Sequence, residues 1–460
     1  MNQLIGDKAF YRRVFAVALP MILQNLISNF VSMLDNIMVG QLSTAQIGAV
    51  TIANNNLFFI FMLFLYGGAA GAGIFTTQYY GSGDHQGIRH TFRFKLLVCF
   101  ALALVGSGIF LFAGKPLISL YLQGEGDPTL AADTLRYCYE YVLIMLVGMF
   151  PFALTNAYAG TLRECGHPVV PMVASLVAMG VNLIGNYILI FGHFGAPAMG
   201  VAGAAWATVI SRYVEFLIVA VWTHTKKEKC PYAKGLYRSL HIPKKLLGSI
   251  ASRGLLIMVN EGAYAVGLAI LNQCYSYCSL DVVPALSIST TFYNLAAVAF
   301  HSLGATVGII TGQMLGAGRP KDEIRRDNNR QCALSVASGI LFGALCVALS
   351  RVFPSIYNTT SSVQEIAKWL LIISGVAMPL QAYFFPVYFT LRAGGKTVSA
   401  FLIDCGSIWF LSIPLAFIAS RFTSLPILAI YALCQGMDII KCILGYLLIK
   451  KDDWLQNLTV

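Results

Sequence analysis

Twelve long apolar runs dominate this sequence of 460 residues and limit the folds that it can form. A helix needs about 20 apolar residues to cross a hydrocarbon layer of roughly 30 Å. Polar residues form only short islands between the runs, and none is long enough for a soluble domain. We therefore predict an all-α integral membrane protein with twelve transmembrane helices. Their approximate ranges are 14–39, 48–77, 94–114, 137–160, 169–191, 201–223, 250–275, 285–312, 332–352, 367–391, 398–420 and 426–449.

The basic residues are distributed unevenly between these runs. The net charge is +11, and a basic chain can bind the phosphate backbone of nucleic acids. Here, however, Lys and Arg collect in alternate connections, whereas 40–47 and 192–200 contain neither. Loops rich in Lys and Arg stay in the cytoplasm. We therefore expect a multi-pass protein of the inner (plasma) membrane with both termini cytoplasmic, in contact with the lipid bilayer and with no nucleic-acid partner.

Two internal similarities divide the chain into halves. Residues 76–83 (TTQYYGSG) recur as 311–318 (TGQMLGAG), and 161–166 (TLRECG) recur as 390–395 (TLRAGG). The most polar connection lies between the halves. We predict an N-terminal six-helix lobe (1–223), a cytoplasmic linker (224–247) and a C-terminal six-helix lobe (248–460). Since each half has an even number of spans, the two bundles should be related by a pseudo-twofold axis along the membrane normal.

A carboxylate inside a span costs about 2.5–3.5 kcal/mol at the bilayer centre and usually marks an ion or proton path. Five carboxylates inside the predicted spans are strong candidates for such a role. Arg212 lies three residues before Glu215, so these two side chains are close enough to pair along one helix. Lys441 lies three residues after Asp438, and the same argument applies. The other three have no basic residue within one helical turn, and we predict that they bind ions or substrate: Asp35, Glu261 and Asp404. For Asp404 a purely structural role stays open.

Asp35 is expected to share a layer of the membrane with two asparagines. At 1.5 Å per residue, Asp35 lies about 13 Å outward of its span centre, and Asn182 and Asn186 lie roughly 3 and 9 Å outward of theirs. The asparagines are four residues apart and so face the same way. Amide oxygens beside a carboxylate suit a hard cation such as Na⁺. The alternative is that both amides only bond neighbouring helices.

The second half offers another pair of acids. The same arithmetic places Glu261 and Asp404 about 2 and 8 Å inward of their span centres. We predict that this pair binds substrate or a second cation. In the first span, Pro20 removes one backbone hydrogen bond and permits a bend, although a static kink that aids packing is the simpler interpretation of any single proline.

Signs of enzymatic chemistry are missing from the sequence. Residues 316–321 are glycine-rich, but their spacing differs from that of a phosphate-binding loop. His301 is the only histidine well inside a predicted span, and the His and Cys residues lack the spacing of a metal site. We therefore expect no ATP-driven step, no cofactor and no enzymatic activity.

Four segments resemble the multidrug and toxic compound extrusion (MATE) family, and the resemblance extends over nearly the whole chain. They are 19–25 (LPMILQN), 35–42 (DNIMVGQL), 181–192 (VNLIGNYILIFG) and 260–262 (NEG). The resemblance implies a V-shaped, twelve-helix antiporter that exports bulky, often cationic drugs and toxic organic compounds by alternating access. Inward flow of Na⁺ or H⁺ would drive the export, and we expect the protein to act as a monomer.

The resemblance also implies roles for individual residues. Asp35 would bind the coupling cation with Asn182 and Asn186, Glu261 would bind cation or substrate, and Pro20 would let the first helix bend. Some members carry an acid in the tenth span, which the comparable stretch 380–384 lacks. Asp404, one helix later, is our candidate to replace it. The alternative function is a flippase for lipid-linked saccharides of the same superfamily, but such proteins favour basic cavities.

Overall fold

The computed structural model describes residues 4–122, 127–279 and 281–459, and it contains no strand in these ranges. Within these described residues, twelve helices are long and apolar enough to cross a membrane. This confirms the predicted all-α class and the number of spans. The helices are α1 (Lys8–Val39), α2 (Thr44–Ser82), α3 (His85–Ser119), α4 (Pro128–Glu164), α5 (Val169–Phe191), α6 (Val201–Thr225), α7 (Lys244–Ser276), α8 (Val282–Gly316), α9 (Lys321–Leu349), α10 (Ser361–Ala393), α11 (Thr397–Phe422) and α12 (Ile427–Lys450).

Individual residues mark where some of these helices begin and end. The side chain of Asp84 accepts hydrogen bonds from the backbone N–H groups of Gln86 and Gly87, both at 2.9 Å, and so caps the start of α3. At the other end of a helix, Gly192 follows α5 with a φ of 77°. Only glycine adopts this left-handed conformation without strain, so the helix ends there.

Two of the helices contain a π-helical turn. In α2 the turn spans Ala53–Phe58, and in α11 it spans Ile408–Ser412. Such turns are rare and often occur at functional sites. The first supplies Asn54 and Asn55 to the lining of a cavity, and the second begins four residues after Asp404.

The chain forms two compact units. The first unit contains residues up to Ile22, residues Thr77–Gly83 and residues from Val259 onwards. The second unit contains Leu23–Thr76 and Asp84–Met258. Three helices, α1, α2 and α7, therefore contribute to both units. The predicted lobes follow the order of the chain instead, and their boundaries at 223 and 248 stay a prediction.

Small residues allow close helix packing within the second unit. A Cβ atom added to Gly71 of α2 would lie 2.5 Å from the Cα of Gly254 in α7, so the two backbones are in contact. Without a hydrophobic drive between helices in lipid, such close backbone contact is a main source of association. The glycine- and alanine-rich run 67–73 is thus a packing surface, as its composition indicates.

The C-terminal segment 451–459 packs onto the first unit. Trp454 is fully buried, and its Nε1 donates to the carbonyl oxygen of Ile449 at 2.9 Å. The backbone N–H of Leu458 donates to Oε1 of Gln78 at 2.6 Å, and Nε2 of Gln78 donates to the carbonyl oxygen of Gln456 at 3.2 Å. The tail is therefore attached to the end of α2 as well as to α12.

Candidate cation site and two flanking cavities

Asp35 of α1 lies against two asparagines of α5 in the second unit. Nδ2 of Asn186 donates to Oδ1 of Asp35 at 2.6 Å and to Oδ1 of Asn182 at 3.3 Å. Both asparagines are buried. No ion pair among the described residues includes Asp35. The structure thus brings together the three residues that the sequence predicts to share a layer.

The Asn182 amide can contact its neighbours in two orientations. In one, its Nδ2 donates to Oγ1 of Thr208 in α6 at 3.3 Å, and its oxygen points towards Asp35. In the other, its Nδ2 donates to the Asp35 carboxylate at 2.9 and 3.2 Å, and its oxygen accepts from Thr208. Oδ1 of Asn186 is buried and accepts no hydrogen bond from any residue that the structure describes. The cluster therefore has acceptor oxygens to spare beside a carboxylate, which is the donor set that hard cations prefer.

Asp35 borders two cavities of the second unit. One, of about 460 Å³, extends past Val39 and Asn54, and the other, of about 570 Å³, extends past Gln24 and Arg163. Val39 follows Asp35 on α1 and Gln24 precedes it, so the cavities extend in opposite directions along this helix. Both are also lined by Thr208 and Arg212 of α6. A small ion in either cavity can therefore reach Asp35.

In the larger cavity, the partners of Glu215 and Arg212 differ from the sequence prediction. Glu215 does not pair with Arg212 within 4 Å; its Oε1 accepts a hydrogen bond from Oγ of Ser175 in α5 at 2.5 Å. The guanidinium of Arg212 lies over the ring of Phe152 in α4, 4.7 Å from its centroid. The expected pairing along one helix was wrong because neighbouring helices offer both side chains other partners.

The acids of the first unit form a polar chain. Asn260 Nδ2 donates to Oδ2 of Asp404 at 2.9 Å and to the hydroxyl of Tyr388 at 3.0 Å. Arg392 Nη1 donates to the same hydroxyl at 3.2 Å and lies 3.7 Å from Oε1 of Glu261. The structure therefore brings Glu261 and Asp404 into one network, and it gives Glu261 a basic partner, Arg392, that its own helix lacks. Nothing in the spacing of the sequence could have indicated a partner on α10.

Asp438 pairs as the sequence predicts. Its Oδ1 lies 3.3 Å from Nζ of Lys441, and its Oδ2 accepts from Nε2 of Gln381 at 3.0 Å. His301 packs against the ring of Phe385, with 4.2 Å between the ring centroids. These contacts are sufficient to account for both residues as parts of the helix packing.

Comparison with known proteins identifies the family. The MatE family profile matches residues 20–188 and 257–418, which is more than half of the chain. The probable multidrug resistance protein YoeA of Bacillus subtilis is 26% identical over 443 residues, covering 94% of this chain and 91% of that protein. The probable multidrug resistance protein NorM of Thermotoga maritima is 23% identical over 423 residues, covering 91% of this chain and 87% of NorM.

Solved structures show the same fold. A transporter of the MOP superfamily from Pyrococcus furiosus superimposes with a TM-score of 0.85 at 18% identity, over 98% of this chain and 97% of that one. A mutant of the Vibrio cholerae MATE transporter VcmN gives a TM-score of 0.85 at 16% identity, over 99% of this chain and 100% of that one. The solved structures show the fold, and the profile match shows that the chain belongs to the MatE family of membrane transporters, which are not enzymes.

Proposed function

We propose that this chain is an antiporter that exports bulky, often cationic organic compounds in exchange for Na⁺ or H⁺ by alternating access. The relatives support export, because YoeA, NorM and the Pseudomonas aeruginosa protein PmpM are all named multidrug resistance proteins. The flippase alternative is not favoured by these relatives. The coupling ion stays a choice between Na⁺ and H⁺.

One observation carries the coupling proposal. Asp35 lies inside a membrane-spanning helix, forms no ion pair with a described residue, and borders two cavities. An ionised carboxylate inside a membrane-spanning helix is costly and usually marks an ion or proton path. A moving cation that neutralises it offsets this cost, whereas a helix that only packs would not need the charge.

The asparagines suggest how the site alternates. With a cation bound, the oxygens of Asn182 and Asn186 turn towards it and add to the carboxylate. With the cation released, the Asn182 amide turns and donates to Asp35, which satisfies the carboxylate. The two arrangements differ only by rotation of the two side-chain amides, so exchange between them needs no movement of the backbone. The spare oxygen of Asn186 supports this scheme.

The position of Pro20 suggests where α1 bends. Pro20 lies inside the helix, and α1 passes from the first unit to the second between Ile22 and Leu23. Because proline cannot donate a backbone hydrogen bond, the helix is weakest near the point where it changes unit. We propose that bending at Pro20 couples the state of Asp35 to the change in access.

In the first unit, we propose that Glu261 and Asp404 bind a second cation or the charged group of a substrate. Glu261 is held by Arg392, so a cation must displace the guanidinium before it can bind. Asp404 accepts only an amide hydrogen bond from Asn260 and forms no ion pair within the described ranges. Of the two, Asp404 is thus the more available carboxylate.

The test is dye transport in everted membrane vesicles, with and without Na⁺ and with a protonophore. We expect transport of a cationic dye such as ethidium to depend on one of the two ions and to be lost in Asp35→Asn. Asp133→Asn is the matched control, because Asp133 is an exposed acid near the start of α4. Normal transport by Asp35→Asn at a normal protein level would remove the proposal.

A further inference from the structure

Five basic side chains of the second unit line one cavity at the start of α3. The cavity has a volume of about 700 Å³, and its other lining residues are Ala233 and Gly235. No acidic residue lines it, and none of the five forms an ion pair with a described residue. The basic residues are Arg89, Arg93, Lys227, Lys234 and Arg238.

The backbone of the connection between α6 and α7 holds two of these cations in place. Arg93 is buried, and its guanidinium donates to the carbonyl oxygens of Leu236 and Gly235, both at 2.8 Å, and of His241 at 3.2 Å. Arg89 Nε donates to the carbonyl oxygen of Tyr232 at 3.2 Å. Neutral carbonyl groups satisfy hydrogen bonds but leave the positive charge uncompensated. The positive charges therefore repel one another, and an anion in the cavity would relieve this repulsion.

The depth of the cavity indicates which anion it meets. The apolar part of α3 begins near Phe94, so Arg93 and Arg89 lie about 1.5 and 8 Å from it along the helix. The polar headgroup layer on each side of a bilayer is roughly 5–7 Å thick. The cavity thus lies at the depth of lipid headgroups.

The surroundings of the cavity also suit lipid rather than water. Tyr237 and Leu240, which flank Arg238 in the chain, are 62% and 61% exposed. Exposed aromatic side chains at this depth typically rest at the level of the headgroups. An anionic lipid could therefore place its phosphate among the cations and its acyl chains beside these side chains and α3.

We propose that this cavity binds the phosphate-bearing headgroup of an anionic phospholipid. Basic pockets beside transmembrane helices bind such headgroups. The bound lipid bridges α3 and the loop between α6 and α7, and it stabilises both. The site is independent of the transported compound and of the cation at Asp35.

The test compares two triple variants of the full-length purified protein. The first is Lys227→Gln/Lys234→Gln/Arg238→Gln, which removes three cavity charges but keeps the two arginines that hold the backbone. The second, Lys226→Gln/Lys244→Gln/Lys245→Gln, removes three exposed charges nearby that do not line the cavity. Binding of phosphatidylglycerol and phosphatidylcholine is measured by native mass spectrometry.

We expect the wild-type protein and the second variant to bind phosphatidylglycerol in preference to phosphatidylcholine. The first variant should bind phosphatidylglycerol at least about tenfold more weakly, since each basic residue near the membrane surface adds appreciable attraction. Equal losses in both variants would show diffuse attraction only and overturn the proposal. Displacement of the lipid by an equal concentration of inorganic phosphate would also overturn it, because the site would then bind free phosphate. If the first variant fails to fold, Lys227→Gln alone, compared with Lys226→Gln, makes the same comparison.

Discussion

Glu261 of α7 and Arg392 of α10 face each other, with 3.7 Å between Oε1 and Nη1. Arg392 also lies over the ring of Tyr388, 5.1 Å from its centroid, so its guanidinium is held between a carboxylate and an aromatic face. A cation that binds Glu261 must therefore compete with a positive charge that is already positioned there.

This competition predicts opposite effects for the two partners. Arg392→Gln should strengthen binding of a cationic dye to the purified protein by about tenfold, or about 1.4 kcal/mol, because the dye no longer competes with the guanidinium for Glu261. Glu261→Gln should weaken the binding. Fluorescence anisotropy measures the dissociation constants. Equal constants in both variants and the wild-type protein would show that the dye does not meet this pair.

Asn186 offers a test of the Asp35 site that keeps the acid. Asn186→Ala removes the hydrogen bond to the Asp35 carboxylate and one oxygen that we propose as a cation ligand. If the coupling ion is Na⁺, loss of the proposed oxygen ligand should raise the Na⁺ concentration for half-maximal dye export at least about tenfold, which corresponds to about 1.4 kcal/mol. If the coupling ion is H⁺, loss of a hydrogen bond that favours the charged carboxylate should instead shift half-maximal export to higher pH. Export at different Na⁺ concentrations and pH values provides the measurement. Asn358→Ala, at an exposed asparagine, is the control, and a shift of the same size there would contradict the prediction.

Lys95 and Glu164 form a buried ion pair that should stabilise the second unit. Only 1% of the Lys95 side chain and 15% of the Glu164 side chain are exposed. Lys95→Met removes the cation from a buried ion pair, which typically costs about 3–5 kcal/mol. We expect a clearly lower midpoint of thermal unfolding in detergent. Lys95→Met/Glu164→Gln should recover part of the loss, and a double variant no more stable than the single one would argue against a charge effect.

Gly394 determines whether the C-terminal segment can dock. A Cβ atom at this position would lie 2.0 Å from the carbonyl oxygen of Trp454, so Gly394→Ala should displace the tail. The expected results are a red shift of tryptophan fluorescence and faster cleavage of the tail by trypsin. Gly436→Ala is the control, because a Cβ there meets nothing within 4 Å. If both variants keep the wild-type spectrum and cleavage rate, the tail packing has been misjudged.

The sequence by itself determined the membrane class and the twelve spans. Backbone polar groups in lipid must be satisfied within each helix, so a long apolar run leaves little choice of structure. It also predicted that Asp35, Asn182 and Asn186 lie in one layer, since depth follows from rise per residue and spacing. Glu215 and Glu261 show the limit of such reasoning. Spacing along one helix indicates which side chains can meet on that helix, but their partners Ser175 and Arg392 come from other helices. Only the tertiary packing decided those contacts, as it did the role of Thr208 and the docking of Trp454.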